Sequence, residues 1–475
     1  MKEDVSEALP ATARAGSDLP AASAQRAAAQ PVNADERISA IDVLRGVAVL
    51  GILLINIEDF GLLHSNKSAA GTEWVGVYVP AHFSHQALAL WVALRALFEG
   101  KMRAIFSMLF GAGVVLLTSR LERRGDGTRA ADIYYRRTLW LLAIGVAHAY
   151  LLWEGDILYS YAICGLFLFP FRRLAPRRLI LLGTLALAIA LPRAAALAIY
   201  RGDLRARAAA ASAARAADQP LTKAQEDALS DWEEITDDYQ PDDEDLRKAN
   251  ADYHAGYGHL FLRRAQLVRY VESSDFYGWA FFDSIGMMLM GMGLLQLGVF
   301  SAARSRRFYT TMVAVGYGLG LPLAAATAYG FYVNRFDPVK VVWLTTAYDP
   351  ARVAVAFGHI GVVMLVVKSR SLAWLTRSLA DVGRMALTSY IGATLICTTL
   401  FNGYGFGLFG SLRRHQLYLV VLAIWTAQLA GSRLWLRRFH FGPLEWLWRS
   451  LTYWRRQPLA RSHGVDAVAR GAGLG

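Results

Sequence analysis

The chain has 475 residues, 55% of them hydrophobic and 12% aromatic, and carries 50 Lys and Arg against 38 Asp and Glu for a net charge of +12. Apolar runs of roughly 17–23 residues with basic flanks recur along it, which excludes a single soluble core and indicates repeated membrane spans. The basic excess is spread over short loops, which argues against nucleic acid as a partner. Cys164 and Cys397 both sit inside apolar runs, so neither a disulfide framework nor a metal site is supported.

Residues 1–36 are Ala-rich and lack the apolar stretch of a signal peptide, and they read as a disordered cytoplasmic tail. Hydropathy then predicts spans near 39–60, 102–119, 137–153, 157–173, 178–199, 279–299, 308–331, 351–367, 384–402 and 416–434. The fold class is an all-α integral membrane bundle of about ten helices. Arginines crowd alternate loops, around Arg120–Arg137, Arg172–Arg178, Arg304–Arg307 and Lys368–Arg384, which makes those loops and both termini cytoplasmic. Residues 85–98 are short for a span and carry Arg95, and they read as an interfacial or re-entrant helix on the outer side. The organisation is thus N-terminal spans over 37–199, an extracytoplasmic insert over 200–277, C-terminal spans and an interfacial helix over 278–456, and a disordered tail over 457–475. Between Asp218 and Asp245 the insert sets twelve acidic residues against Lys223 alone. It reads as a solvated helical excursion, with a cap over an outer entrance as the alternative.

Four constellations place polar chemistry within the spans, where such groups must face protein or a water-filled cavity. In the first span Asp42, Arg45 and Asn56 share a helix face at about 100° per residue. They form either an internal ion pair plus a helix–helix hydrogen bond, or one wall of a cavity in which Arg45 receives an anion. In EGKMRAIFSMLFGAG, Arg103 and Ser107 are spaced by four and suggest a lumen-facing site. Lys101 reads as an interface anchor there, and Gly111 and Gly113 admit another backbone. In RRTLWLLAIGVAHAYLLWEGDILYSYA, His148 lies inside a span with Arg137 eleven residues earlier on the same face. His148 is the natural general base, and a helix–helix hydrogen bond is the competing role. Asp156, in the tight turn after it, either orients the histidine, binds an acceptor, or caps the next helix. Near the C-terminus Asp381, Arg384 and Thr388 share a face. FGPLEWLWRSLTYW reads as an interfacial amphipathic helix bearing a Glu445–Arg449 pair.

Together DVLRGVAVLGILLIN, EGKMRAIFSMLFGAG, the GVAH…LLWEGDILYSYA run, DVGRMALTSYIG and FGPLEWLWRSLTY resemble, in order and from about residue 37 to 456, the YeiB-like family of bacterial inner-membrane proteins of unknown function (domain of unknown function 418). The first span, with Asp42, Arg45, Gly46 and then Asn56, is also similar to a wider group of membrane-embedded acyltransferases that includes the lysosomal heparan glucosaminide acetyltransferase. That resemblance implies acyl transfer from cytosolic acyl-CoA to an acceptor on the far side of the membrane, here an envelope glycan or lipid. Arg45, Arg137 and Arg384 are the expected donor-binding residues. His148 and Asp156 are the expected catalytic pair, with Asp42, Asn56, Arg103, Ser107, Thr388 and Glu445 lining a polar cavity. A histidine soon after the first span serves the heparan enzyme, and His64 is its positional counterpart, in a segment that does not otherwise match. No bound cofactor is expected, with acyl-CoA as co-substrate. A transporter of a small anionic solute is the competing reading, against which the halves show no evident internal repeat.

Overall fold

A computed structural model describes residues 39–62, 85–123, 127–239 and 243–461. The architecture is all helical. The first half runs α1 (Ser39–Gly61), α2 (His85–Leu97), α3 (Lys101–Arg123), α4 (Gly127–Leu151), α5 (Leu158–Leu168), α6 (Pro176–Ala188) and α7 (Ala190–Ala216). The former insert contributes α8 (Lys223–Tyr239), α9 (Asp243–His254) and α10 (Tyr257–Tyr270), which continues through a π-helical stretch, Val271–Ala280, into α11 (Phe281–Gln296). Then come α12 (Arg306–Val333), α13 (Pro338–Ser369), α14 (Ala373–Arg384), α15 (Ala386–Phe401), α16 (Arg414–Arg438) and α17 (Pro443–Tyr453).

Among the described residues seven helical stretches are long and apolar enough to cross a membrane: Ser39–Gly61, His85–Arg123, Pro176–Ala216, Tyr257–Gln296, Arg306–Val333, Pro338–Ser369 and Arg414–Arg438. The chain is an all-helical membrane protein. Three of the ten expected spans fall outside that set for physical reasons. The helix covering 137–153 begins among arginines. α5 is 11 residues long, or about 16 Å against a hydrocarbon core of about 30 Å. In 384–402 the helix breaks at Met385, leaving α15 with 16 residues.

Two glycine-mediated crossings set the frame. α11 is buried from Asp283 to Leu294 and crosses α3 where a Cβ on Gly111 would overlap the Met288 carbonyl and one on Gly291 the Met108 carbonyl. α1 crosses α14 in the same way, with Gly46 against the Leu379 carbonyl and Gly383 against that of Asp42. Small residues let these backbones meet where lipid supplies no hydrophobic drive for association. The second crossing sits one turn from Arg45 and Arg384, and so fixes both arginines relative to each other.

The acidic insert is a helical excursion built from several helices. α7 runs on to Ala216, α8 packs back along it, and α9 and α10 return toward the bundle. α10 docks through Arg264, buried at 4% exposure, whose Nε lies 3.2 Å from Glu154 in the turn between α4 and α5. Tyr253 donates to the same carboxylate at 3.1 Å.

Candidate functional site

The first turns of α1, the length of α3, α4 and α5, the junction of α14 with α15, and α17 enclose a cavity of about 260 Å³. Its charged lining is Arg45, Arg120, Arg137, Arg384 and Arg449 with Asp42 and Glu445, so five arginines face two carboxylates. Arg45 pairs with Asp42 at 2.9 Å and Arg384 with Asp381 at 3.3 Å. The Arg137 guanidinium lies 3.6 Å from the Trp448 ring centroid, while the Trp448 indole donates to the Arg137 carbonyl at 2.8 Å. That stack brings α17 against α4 and makes it a wall of the cavity.

Glu445 does not act through the expected pair with Arg449. Its carboxylate accepts from the Leu387 amide at 2.7 Å, the Thr388 amide at 3.0 Å and the Thr388 hydroxyl at 2.6 Å. It thereby satisfies the open N–H groups at the start of α15. Thr388, separated from Arg384 by the break at Met385, supports Glu445 rather than facing the cavity. α17 is accordingly packed into the bundle on one side, with Glu445 at 8% and Thr452 at 0% exposure.

The inner end of the cavity is formed by Tyr161, Ile157 and Tyr390. Behind Tyr390, its ring centroid 5.1 Å away, is the buried imidazole of His148. His148 Nδ1 stands 2.8 Å from Asp156 Oδ1, off the line of a well-aligned hydrogen bond. Nε2 is 3.1 Å from the Thr394 hydroxyl. Asp156 Oδ2 accepts from the Tyr159 amide at 2.7 Å in the first turn of α5. The histidine therefore makes the interhelical hydrogen bond and also faces a carboxylate, and Asp156 both caps and contacts it. A proton on Nδ1 against the carboxylate leaves the lone pair on Nε2, an assignment made from these neighbours.

Arg45, Arg137, Arg384, Asp42 and Glu445 thus come together. Other expected lining residues are elsewhere. Asn56 lies about 21 Å along α1 from Asp42 and does not line the cavity. Arg103 turns away to Asp283 at 3.4 Å and to the Trp279 ring. Ser107 hydrogen-bonds Tyr161 at 2.7 Å and the Arg103 carbonyl at 3.0 Å. Lys101 is no interface anchor: at 1% exposure it donates to the Arg95 carbonyl at 2.8 Å. Gly111 packs as expected, but Gly113 lines the cavity, where a Cβ would meet nothing within 4 Å. His64 lies outside the described residues.

The polar groups near the opposite end of α1 form a second region. Glu58 binds Arg414, accepts from Tyr418 at 2.8 Å and lies 3.6 Å from Arg95. Arg95 also binds Glu99. Arg352, fully buried, binds Asp283 and sits 2.8 Å from Asp349. Gly100 links α2 to α3 at φ +68°, and a side chain there would overlap the Tyr348 hydroxyl.

Comparison with known proteins then decides the family. A family described as "Protein of unknown function (DUF418)" matches residues 294–455. The uncharacterised protein YeiB of Escherichia coli (strain K12) is 32% identical over 426 residues, covering 88% of this chain and 96% of YeiB. The chain belongs to the YeiB-like family. Another YeiB-like relative, the uncharacterised protein YxaH of Bacillus subtilis (strain 168), is 28% identical over 453 residues, covering 92% of this chain and 99% of YxaH. No solved structure matches the chain. The stretch matched by the DUF418 description takes in α12 to α17, and so supplies Arg384, Tyr390, Thr394, Glu445 and Arg449 of this YeiB-like site.

Proposed function

We propose that the protein is an inner-membrane acyltransferase that takes an acyl group from a phosphate-bearing donor, acyl-CoA, and passes it to an envelope glycan or lipid. In this reading the arginine-rich loops beside the cavity are cytoplasmic, and the arginine-lined end of the cavity opens to that side. The observation that carries the reading is the alignment of this cavity with the His148–Asp156 pair behind its inner end. Arg137 and His148 are eleven positions apart on α4, about 16 Å along a helix. An extended arm of about a dozen bonds spans that distance, so a phosphate held at Arg137 leaves the other end of the arm beside the imidazole. Arginine suits the phosphate end through its fixed fork of donors.

In this mechanism Tyr390 and Thr394 shift to admit the thioester. His148 Nε2 takes the proton of the acceptor hydroxyl or amine as that atom bonds to the acyl carbon. Asp156 stabilises the imidazolium, the C–S bond breaks, and the imidazolium returns its proton to the leaving sulfur. General base catalysis of this kind contributes about 10²–10⁴-fold. Purified protein incubated with labelled acetyl-CoA and a cell-envelope glycan and lipid extract should move label into the extract. His148→Asn should lower the rate by about that factor in protein that still unfolds cooperatively on heating. Undiminished transfer in the variant removes His148 from the chemistry. Thermal stabilisation by a free anionic solute, without any transfer, points instead to transport.

A further inference from the structure

The separation of Arg137 from His148 sets how far the ligand's arm reaches, and the cavity wall sets what the arm is made of. On α3 the lining positions recur at helical spacing from Phe106 through Phe110, Gly113 and Leu117 to Arg120, and all but the last are apolar or glycine. That face is about 21 Å long. Of the hydroxyl-bearing residues along the wall, all but Tyr453 are already committed within the protein. Tyr134 donates to the Gly165 carbonyl at 2.5 Å and Thr138 to the Tyr134 carbonyl at 2.9 Å. Tyr161 is held by Ser107 at 2.7 Å and by the Arg103 carbonyl at 3.2 Å. Tyr390 sits between the Ile157 amide and the Gly155 carbonyl at 3.4 and 3.5 Å. A chain drawn past such a wall finds few open hydrogen-bond partners, and every hydrocarbon segment of it gains burial.

We infer that the cavity takes an anionic amphiphile: a phosphate-bearing head at the arginines and a linear hydrocarbon chain laid along α3 toward Tyr390. This rests on the reading of the arginine-lined cavity as a ligand site and is independent of transfer at His148. Two sources carry the chemistry, a long-chain acyl-CoA and a bilayer lipid with a phosphate headgroup. Gly113 is the point at which the chain passes closest to the α3 backbone. A side chain there projects into open space, so it obstructs the groove without displacing a neighbour.

The test is equilibrium binding to the full-length protein in nanodiscs, with CoA and its acetyl, octanoyl and lauroyl esters in one series and hexyl, octyl and dodecyl phosphate in another. Affinity should rise about fourfold per methylene, the equivalent of about 0.8 kcal/mol, until the chain fills the groove. A rise in both series identifies the phosphate-headed lipid as a competent source, and a rise in the esters alone identifies the coenzyme. Gly113→Leu should flatten the chain-length dependence with the thermal transition unchanged. Gly113→Ala, a smaller intrusion, should weaken the longest chain selectively and serves if the leucine variant does not fold. Affinity independent of chain length in the unaltered protein overturns the inference and leaves acyl transfer standing. A slope retained in both variants shows partition into the bilayer and also overturns it. A chain-dependent affinity without any transfer upholds the inference while the acyltransferase reading fails.

Discussion

Toward one end of α1, five cations and five carboxylates interlock: Arg95, Lys101, Arg103, Arg352 and Arg414 with Glu58, Glu99, Asp283, Asp349 and, within electrostatic reach of Arg95, Asp59. At the other end five arginines share a cavity with two carboxylates. The first region has its charges matched inside the protein, and it staples α1, α2, α3, α11, α13 and α16 together. The second keeps an excess of positive charge around open space. Matched charge holds helices in register, while surplus charge around a cavity is complementary to something that arrives from outside. The two regions should therefore respond to mutation in opposite ways.

The largest effect is expected in the matched region. Removing one partner of a buried pair leaves the other uncompensated and costs about 3–5 kcal/mol. Arg352→Ala, which takes the closer of its two arginines from Asp283 and leaves Arg103 at 3.4 Å, should abolish monodisperse protein on size exclusion or lower the thermal transition sharply. An unaltered transition would mean that the network is not what secures these helices. In the cavity, Arg449→Gln should leave stability unchanged or raised, because it reduces like-charge crowding. The same change should weaken a phosphate-bearing ligand by about 10- to 150-fold, the worth of one charge-assisted hydrogen bond of about 1.5–3 kcal/mol. A drop in stability with undiminished binding would reverse the assignment of the two regions.

The smallest effect is expected at a partly exposed pair outside both. Asp337 caps α13 through the Val339 and Lys340 amides at 3.1 and 3.0 Å and meets Arg205 at 2.5 Å. Burial opposes its charge, but the Lys340 and Val339 amides and the Arg205 guanidinium outweigh it and hold the carboxyl below its usual range. Its folded value being depressed, its contribution is complete above the ordinary carboxylate range and is lost as pH falls through the folded value. Asp337→Ala should cost about 1 kcal/mol, typical of a lost N-cap, at neutral pH and progressively less in acid. A pH-independent difference in thermal transition between the two proteins would contradict this.

How much of this was legible in the sequence follows from the distance over which each contact acts. The Asp42–Arg45 pair and the His148–Asp156 pair come from neighbouring turns, so helical spacing and one tight turn were enough to place them. The convergence of Arg45, Arg137 and Arg384 is foreshadowed by their common position near arginine-rich ends of apolar runs. Glu58 and Arg352 carry no local signal, because their partners are Arg414 and Asp283, far away in the chain. Asn56 was misplaced because sharing a face with Asp42 says nothing about depth. The cavity stops after the first turns of α1, well short of it. Arg103 and Ser107 do lie one turn apart, but the arginine side chain turns toward α11 while the serine turns toward α5. Spacing could not foretell that divergence. The break at Met385, which sends Thr388 to Glu445, is announced by no proline, and Gly383 two residues before it serves the crossing with α1.

α17 contributes Glu445, Trp448 and Arg449 to the cavity, and α1, the first described helix, contributes Asp42 and Arg45. During synthesis the opening helix enters the bilayer long before its counterpart has been made. The cavity is consequently closed only after α17 has been made, and until then α15 starts without the cap that Glu445 supplies. A ribosome that stops short of Gly442 leaves a nearly full set of membrane helices with no finished pocket. The uncapped start of α15 thus distinguishes a chain that carries α17 from one that stops before it.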